Sequence, residues 1–309
     1  MEPISTARSR SSRSSAWRQS DKIAAMNETG VARQYELGPG ETAWPTVALF
    51  LLALTAQAAS TALALSGEWP AALAVLVNFV CAYAQFTVVH DAVHRAVSRR
   101  RWLNEAVGSA ATLILFGPFS AFRRNHLRHH AHTNDPEKDP DFWVAGSTAT
   151  GTFLRCLVML QMHYILYFRD ALRGDLAWPR TAAVIPVIAG LFLLGGMKGW
   201  AGEMLLYWFL PAQLAVAALA FLFDYWPHRP HAERGRLRDT AAIAPRPLDP
   251  LFLAQNLHLV HHLIPTIPWY RYRPAFAALE PGLRLAGARI WDLRTALARL
   301  NPALTGRPS

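Results

Sequence analysis

The sequence predicts an all-α integral membrane protein: four transmembrane helices and a cytoplasmic helical cap that carries a histidine-rich di-metal site. Three observations predict it. Apolar residues make up 52% of the 309 residues and the mean hydropathy is +0.13, which favours a membrane class over two soluble domains. Four apolar runs are long enough, or nearly so, to cross about 30 Å of hydrocarbon. Many of the 12 histidines fall into three spaced clusters, two of which follow closely on apolar or partly apolar runs.

The first 44 residues carry RSRSSRSSAWR near their start and contain no apolar run, so no secretory signal is read there. Asp21, Glu28, Glu36 and Glu41 argue against a transit peptide, and a disordered, basic cytoplasmic tail over 1–44 is expected, with Met26 a candidate for the true start. A membrane domain over 45–300 follows, then a tail over 301–309. Thr46 to Leu65 is the first expected span and Ala71 to Val89 the second, joined by a tight turn over Ser66 to Pro70 with Trp69 at interfacial depth. Val107 to Ala121 is apolar but short and broken by Gly117 and Pro118. A crossing there would put the first two histidine clusters on opposite sides, so a buried or re-entrant helix is expected. Phe153 to Phe168 carries Arg155, Gln161 and His163, which suits an interfacial amphipathic helix. Thr181 to Met197 and Met204 to Phe223 are the third and fourth expected spans, an even-numbered excursion that returns the chain to its starting side.

The net charge of +10 invites a nucleic-acid reading, but its placement points elsewhere. Arginine collects over 95–101, 123–128, 169–180 and after Phe223, whereas the short connections between paired spans hold only Lys198. This is the positive-inside pattern, and it puts both termini and every histidine cluster in the cytoplasm. No nucleic-acid recognition module accompanies the charge. The two cysteines, Cys81 and Cys156, lie in apolar stretches with no CxxC pattern, as small apolar fillers do.

The chemistry sits in the histidines. HDAVH supplies His90 and His94; HLRHH supplies His126, His129 and His130; HLVHH supplies His258, His261 and His262. On a helix, residues three and four apart share a face, so the imidazoles of one cluster are expected to converge on one point. A lone HxxxH is a weak signal; HxxHH occurring twice, with HxxxH upstream, is not. The set is about twice what one structural zinc needs, so two metals are expected. Imidazole suits zinc, copper, iron and nickel alike. At the end of the fourth run, Asp224 and His228 stand four apart, as His90 and His94 do at the end of the second. This makes His228 a candidate ninth ligand, with Asp224, Asp91 and His132 as supporting residues around the ligands.

HDAVH, HLRHHAHTNDPEKDPDF, FDYWPHRP and QNLHLVHHLIPTIPWYRYRPAF together resemble the membrane fatty-acid desaturase superfamily, and within it the bacterial β-carotene hydroxylase branch. The resemblance runs from about His90 to Phe276. It implies a di-iron oxygenase that takes electrons from ferredoxin and inserts one oxygen atom of O2 at carbon 3 of a carotenoid β-ionone ring. Its ligands would be His90, His94, His126, His129, His130, His258, His261 and His262, with His228 joining them by position. His132 would act from behind the ligands, and His163 and His231 would not bind metal. Nitrogen-rich coordination leaves much positive charge and open positions at the irons. A hydrocarbon substrate would be selected by an apolar tunnel opening to membrane lipid. Some of the arginines would steer an acidic donor onto the cytoplasmic face. The rival readings are a carotene ketolase or an acyl-lipid desaturase on the same metal site, and, from another class, a non-enzymatic membrane metal-binding protein. The last would place ionisable groups within the spans, where the second and fourth runs have none until their ends.

Overall fold

The computed structural model describes residues 28–146, 148–174 and 184–300. Met26 and the end segments over 1–27 and 301–309 lie outside the described residues. Within them the chain is helical apart from one two-stranded parallel pair, β1 (Ala242–Ile243) with β2 (Ile290–Trp291).

Helix α1 covers 28–35, α2 Trp44–Leu65 and α3 Ala71–Val93. Helices α2 and α3 form a hairpin and are apolar on all sides, as befits lipid contact. Pro45 opens α2, where a missing N–H costs nothing. A buried amide ties the hairpin to its neighbour: Asn78 donates to Thr61 Oγ1 (2.9 Å) and to the Tyr207 carbonyl (2.8 Å), and accepts from Ser60 Oγ. Asn78→Leu should strip these bonds and lower the stability of the detergent-solubilised protein by roughly 1–2 kcal/mol, read from its thermal unfolding midpoint.

Helices α4 (Arg101–Ile114) and α5 (Phe119–His132) meet at a bend of 98°. Phe116, at φ 66°, then Gly117 and Pro118 make the turn. Gly108 lets α4 seat against α3 and α5, because a Cβ there would strike the Phe119 ring and Ala92. The segment expected to be buried or re-entrant falls on this bent pair. It turns the second histidine cluster back to the first: the rings of His90 and His126 lie 4.8 Å apart.

The amphipathic segment expected over 153–168 is two helices, α6 (Ala149–Leu157) and α7 (Met159–Leu172), broken at Val158. Asp170 on α7 is buried and paired with Arg124 of α5 at 3.1 Å, which fixes α7 alongside the second cluster. Helix α8 is Val184–Met197. It is the described part of the third expected span, of which 181–183 lie outside the described residues; its 14 residues reach about 21 Å at 1.5 Å per residue. Among the described residues, three helices are long and apolar enough to cross, α2, α3 and α9 (Ala201–Tyr225), and the bent α4–α5 pair raises the possible total to four. Helix α9 winds more widely at Leu205–Phe209 and at Ala220–Tyr225, where Trp226 N–H reaches the Phe221 carbonyl five residues back.

The short helices α10 (Leu248–Phe252) and α11 (His258–Leu263) lead to α12 (Tyr272–Leu285) and α13 (Leu293–Ala298). Leu257, Leu259, Val260, Ile267, Tyr272, Phe276 and Leu279 form a core beneath the third cluster. Val31 of α1 joins that core, Leu37 and Ala43 are buried, and Arg271 donates to the carbonyls of Tyr35 and Glu36 at 3.2 and 3.0 Å. The described residues 28–43 are therefore packed against the rest of the chain, within the stretch expected as a tail over 1–44. The apolar residues of this segment are scattered singly rather than in a run, yet Val31, Ala32 and Tyr35 pack against the third cluster's core.

Candidate metal centre

Four elements deliver the histidines. Helix α3 ends in His90 with His94 just beyond it; α5 carries His126, His129 and His130; His228 follows α9; and α11 carries His258, His261 and His262. All nine rings lie within one continuous cluster, but they do not converge cluster by cluster. Two groups form: His90, His94, His126 and His261 in the first, His129, His228, His258 and His262 in the second, each with ligand atoms within 4.8 Å of one another. The expectation that each HxxHH box closes on a single point is thus corrected. Three residues of helix turn a side chain by about −60° and four by about +40°, so His129 and His130 diverge by about 100°. His130 stands between the groups, its Nε2 2.8 Å from that of His261 and 3.1 Å from that of His126, with its ring 4.4 Å from that of His262.

The residues behind the rings decide which nitrogen faces inward. His129 Nδ1 lies 2.9 Å from Asp139 Oδ1, and a carboxylate only accepts, so Nδ1 carries the proton and Nε2 presents its lone pair. His228 Nδ1–H donates to the Asp239 carbonyl at 3.0 Å, with the same result. His261 Nδ1 meets the Tyr272 hydroxyl at 3.0 Å. Gln255 Nε2 sits 3.5 Å from His90 Nδ1 while Gln255 Oε1 has no partner; with the amide turned over, Oε1 accepts from His90. The Nε2 atoms of His90, His94 and His228 are buried and bonded to nothing in the protein. Burial pushes the imidazoles of His258, His261 and His262 well below the ordinary histidine range, leaving them neutral. Inward-facing, unprotonated nitrogens repel one another unless a cation lies among them. This donor set fits two metal ions of the kind imidazole prefers.

The supporting residues fall differently from the expectation. Asp91 is buried, but it accepts from Thr46 Oγ1 at 2.8 Å and from the Trp269 amide, joining α2, α3 and the segment after α11 rather than touching a ring. Asp224 lines a cleft together with Asp141 and contacts no histidine nitrogen by hydrogen bond among the described interactions. The wide turn over Ala220–Tyr225 takes it out of the four-residue relation with His228 that an α-helix would enforce. His132 is exposed and belongs to neither group. His132→Ala should leave pigment conversion and metal content unchanged and shift stability by no more than about 0.5 kcal/mol. His163 lines the cleft, and the ring of His231 lies 6.3 Å from that of His228, outside both groups.

Sequence reading did not single out Asp239, Gln255 or Tyr272, because a partner behind a ring carries no spacing signal. Asp139 sits in the DPEKDPD segment that follows the second cluster. Its carboxylate takes Asn134 N–H (2.8 Å), Asp141 N–H (2.9 Å) and His129.

The cleft opens between the α4–α5 bend, α7 and α9. Leu115, Phe122, Met159, Leu160, Tyr167 and Leu219 make its walls, and His126, Asp141 and Asp224 stand in its lining. An apolar cleft in contact with a histidine of the first group suits a substrate that is largely hydrocarbon.

A family model described as fatty acid desaturase matches residues 67–294, well over half of the chain. The chain belongs to the fatty acid desaturase family. Among its relatives, the sn-1 oleoyl-lipid 12-desaturase of Picosynechococcus sp. is 26% identical over 288 residues, covering 80% of this chain and 78% of that protein. The β-carotene ketolase of Paracoccus sp. (strain PC1) is 31% identical over 195 residues, covering 60% and 71%. A fatty acid conjugase of Calendula officinalis is 24% identical over 239 residues, covering 62% and 63%. The fatty acid desaturase family thus brings this chain both lipid-desaturating and carotenoid-modifying relatives, all of them enzymes, and its apolar helices suit a membrane protein.

Proposed function

We propose that this member of the fatty acid desaturase family is an O2-dependent di-iron oxygenase that hydroxylates carbon 3 of a carotenoid β-ionone ring. The observation that carries the reading is the apolar cleft lined by a histidine of one of two adjoining imidazole groups. His90, His94, His126 and His261 hold one iron and His129, His228, His258 and His262 the other, with His130 between them. Reduced iron at such a centre supplies O2 activation, with electrons drawn from a reduced ferredoxin.

The chain's own residues do the rest. Leu115, Phe122 and Leu160 exclude water and grip the polyene by shape. Asp139 and the Asp239 carbonyl hold their imidazoles in one tautomer and orientation. In this reading the centre lies at the cytoplasmic membrane boundary with both termini on that side, which the collection of arginine over 95–101 supports, and those arginines receive an acidic donor.

The Paracoccus ketolases favour a second reading, oxidation of the same ring to a ketone on the same iron site. Expression in cells that accumulate β-carotene, followed by chromatography and mass spectrometry of the pigments, tests both. The proposed activity yields mono- and dihydroxylated products. Keto products transfer the assignment to the second reading. Unchanged β-carotene beside new double bonds in the acyl lipids defeats both and makes the protein a lipid desaturase.

A further inference from the structure

The two imidazole groups are held from behind by partners of unlike charge. In the second group, His129 donates to Asp139, a carboxylate pinned by two backbone N–H groups besides, and Asp141 Oδ2 lies 3.5 Å from the same nitrogen. In the first group, the outward nitrogens of His261 and His90 meet a phenol and a carboxamide, Tyr272 and Gln255, both uncharged. The carboxylate nearest in sequence to that group, Asp91, is engaged by Thr46 and Trp269 instead. A carboxylate behind an imidazole raises the basicity of the opposite nitrogen and adds a negative charge beside the ion; a neutral partner only orients the ring.

We infer that the two metal positions are unequal: the one formed by His129, His228, His258 and His262 binds its ion more tightly and fills first, and Asp139 sets the difference. The inference rests on reading the two groups as positions for two ions. His130 adds an uncharged imidazole to whichever ion it joins, so the charge asymmetry does not depend on it. Because the cleft touches His126, a member of the first group, the weaker position is the one beside the cleft. A half-loaded protein is therefore folded and metal-bound but inactive.

The test is a Co(II) titration of the metal-free, full-length protein in detergent, followed by the visible absorption of bound cobalt against a competing chelator. Two ions should bind in separate steps at least about ten-fold apart in affinity. Asp139→Asn, which keeps shape and imidazole count, should weaken the tight step by roughly 10–100-fold and leave the weak one. Tyr272→Phe should leave the tight step unchanged. Should Asp139→Asn lose helical content by circular dichroism, the ligand variants decide instead: His228→Ala should lose the tight step and His94→Ala the weak one. Two ions binding with equal affinity, or a tight step that survives His228→Ala but not His94→Ala, would overturn the inference while the two-ion reading stands. Fewer than two cobalt ions in the unaltered protein would overturn both.

Discussion

His129→Ala is expected to abolish pigment conversion, lowering it by more than about 100-fold, and to reduce bound metal from two ions per chain to one. The magnitude follows from the position of this ring. Altering a residue behind a metal ligand already costs about 10–100-fold in affinity or activity, and this change removes the ligand itself. It also leaves the buried Asp139 carboxylate without one of its three donors, a cost of about 1–3 kcal/mol. Conversion and iron content measured on the same preparation check it. Full activity with one iron missing would show that the second group is not part of the reacting centre.

Ala121→Phe is expected to do the opposite: to keep both ions and lose the substrate. Ala121 is a small residue in the cleft lining, on the first turn of α5, five residues before His126. Filling that space with an aromatic ring forces neighbours off their rotamers, typically at about 1–3 kcal/mol. Charged against substrate occupancy, that cost lowers conversion by roughly ten- to a hundred-fold. Iron per chain should stay at the wild-type value. An unchanged conversion rate would mean that the substrate reaches the metals by another route.

The parts of this molecule that were legible in its sequence are those written in local spacing. The apolar runs over 46–65, 71–89 and 204–223 correspond to α2, α3 and α9, and the break at Gly117 and Pro118 corresponds to the bend between α4 and α5. The three histidine clusters could be found because a three- or four-residue repeat is a property of one helix. How their members divide could not. His126 and His129 go to different groups, and so do His261 and His262, because the division depends on how α5 and α11 are rotated against each other. The register of Asp224 against His228 was hidden for a related reason: the chain winds more widely at Ala220–Tyr225, and nothing in AFLFDY announces it. His132, read from the sequence as a residue behind the ligands, lies exposed in the fold, and spacing alone could not show that. The segment over 28–43 looked like a tail because Val31, Leu37 and Ala43 are isolated apolar residues, whose burial depends on the fold around them.

Iron quantified per chain in protein that is actively converting carotenoid is the most direct test of the central claim. Two irons per chain are predicted. A single iron, or zinc in place of iron, in a preparation of full activity would contradict it.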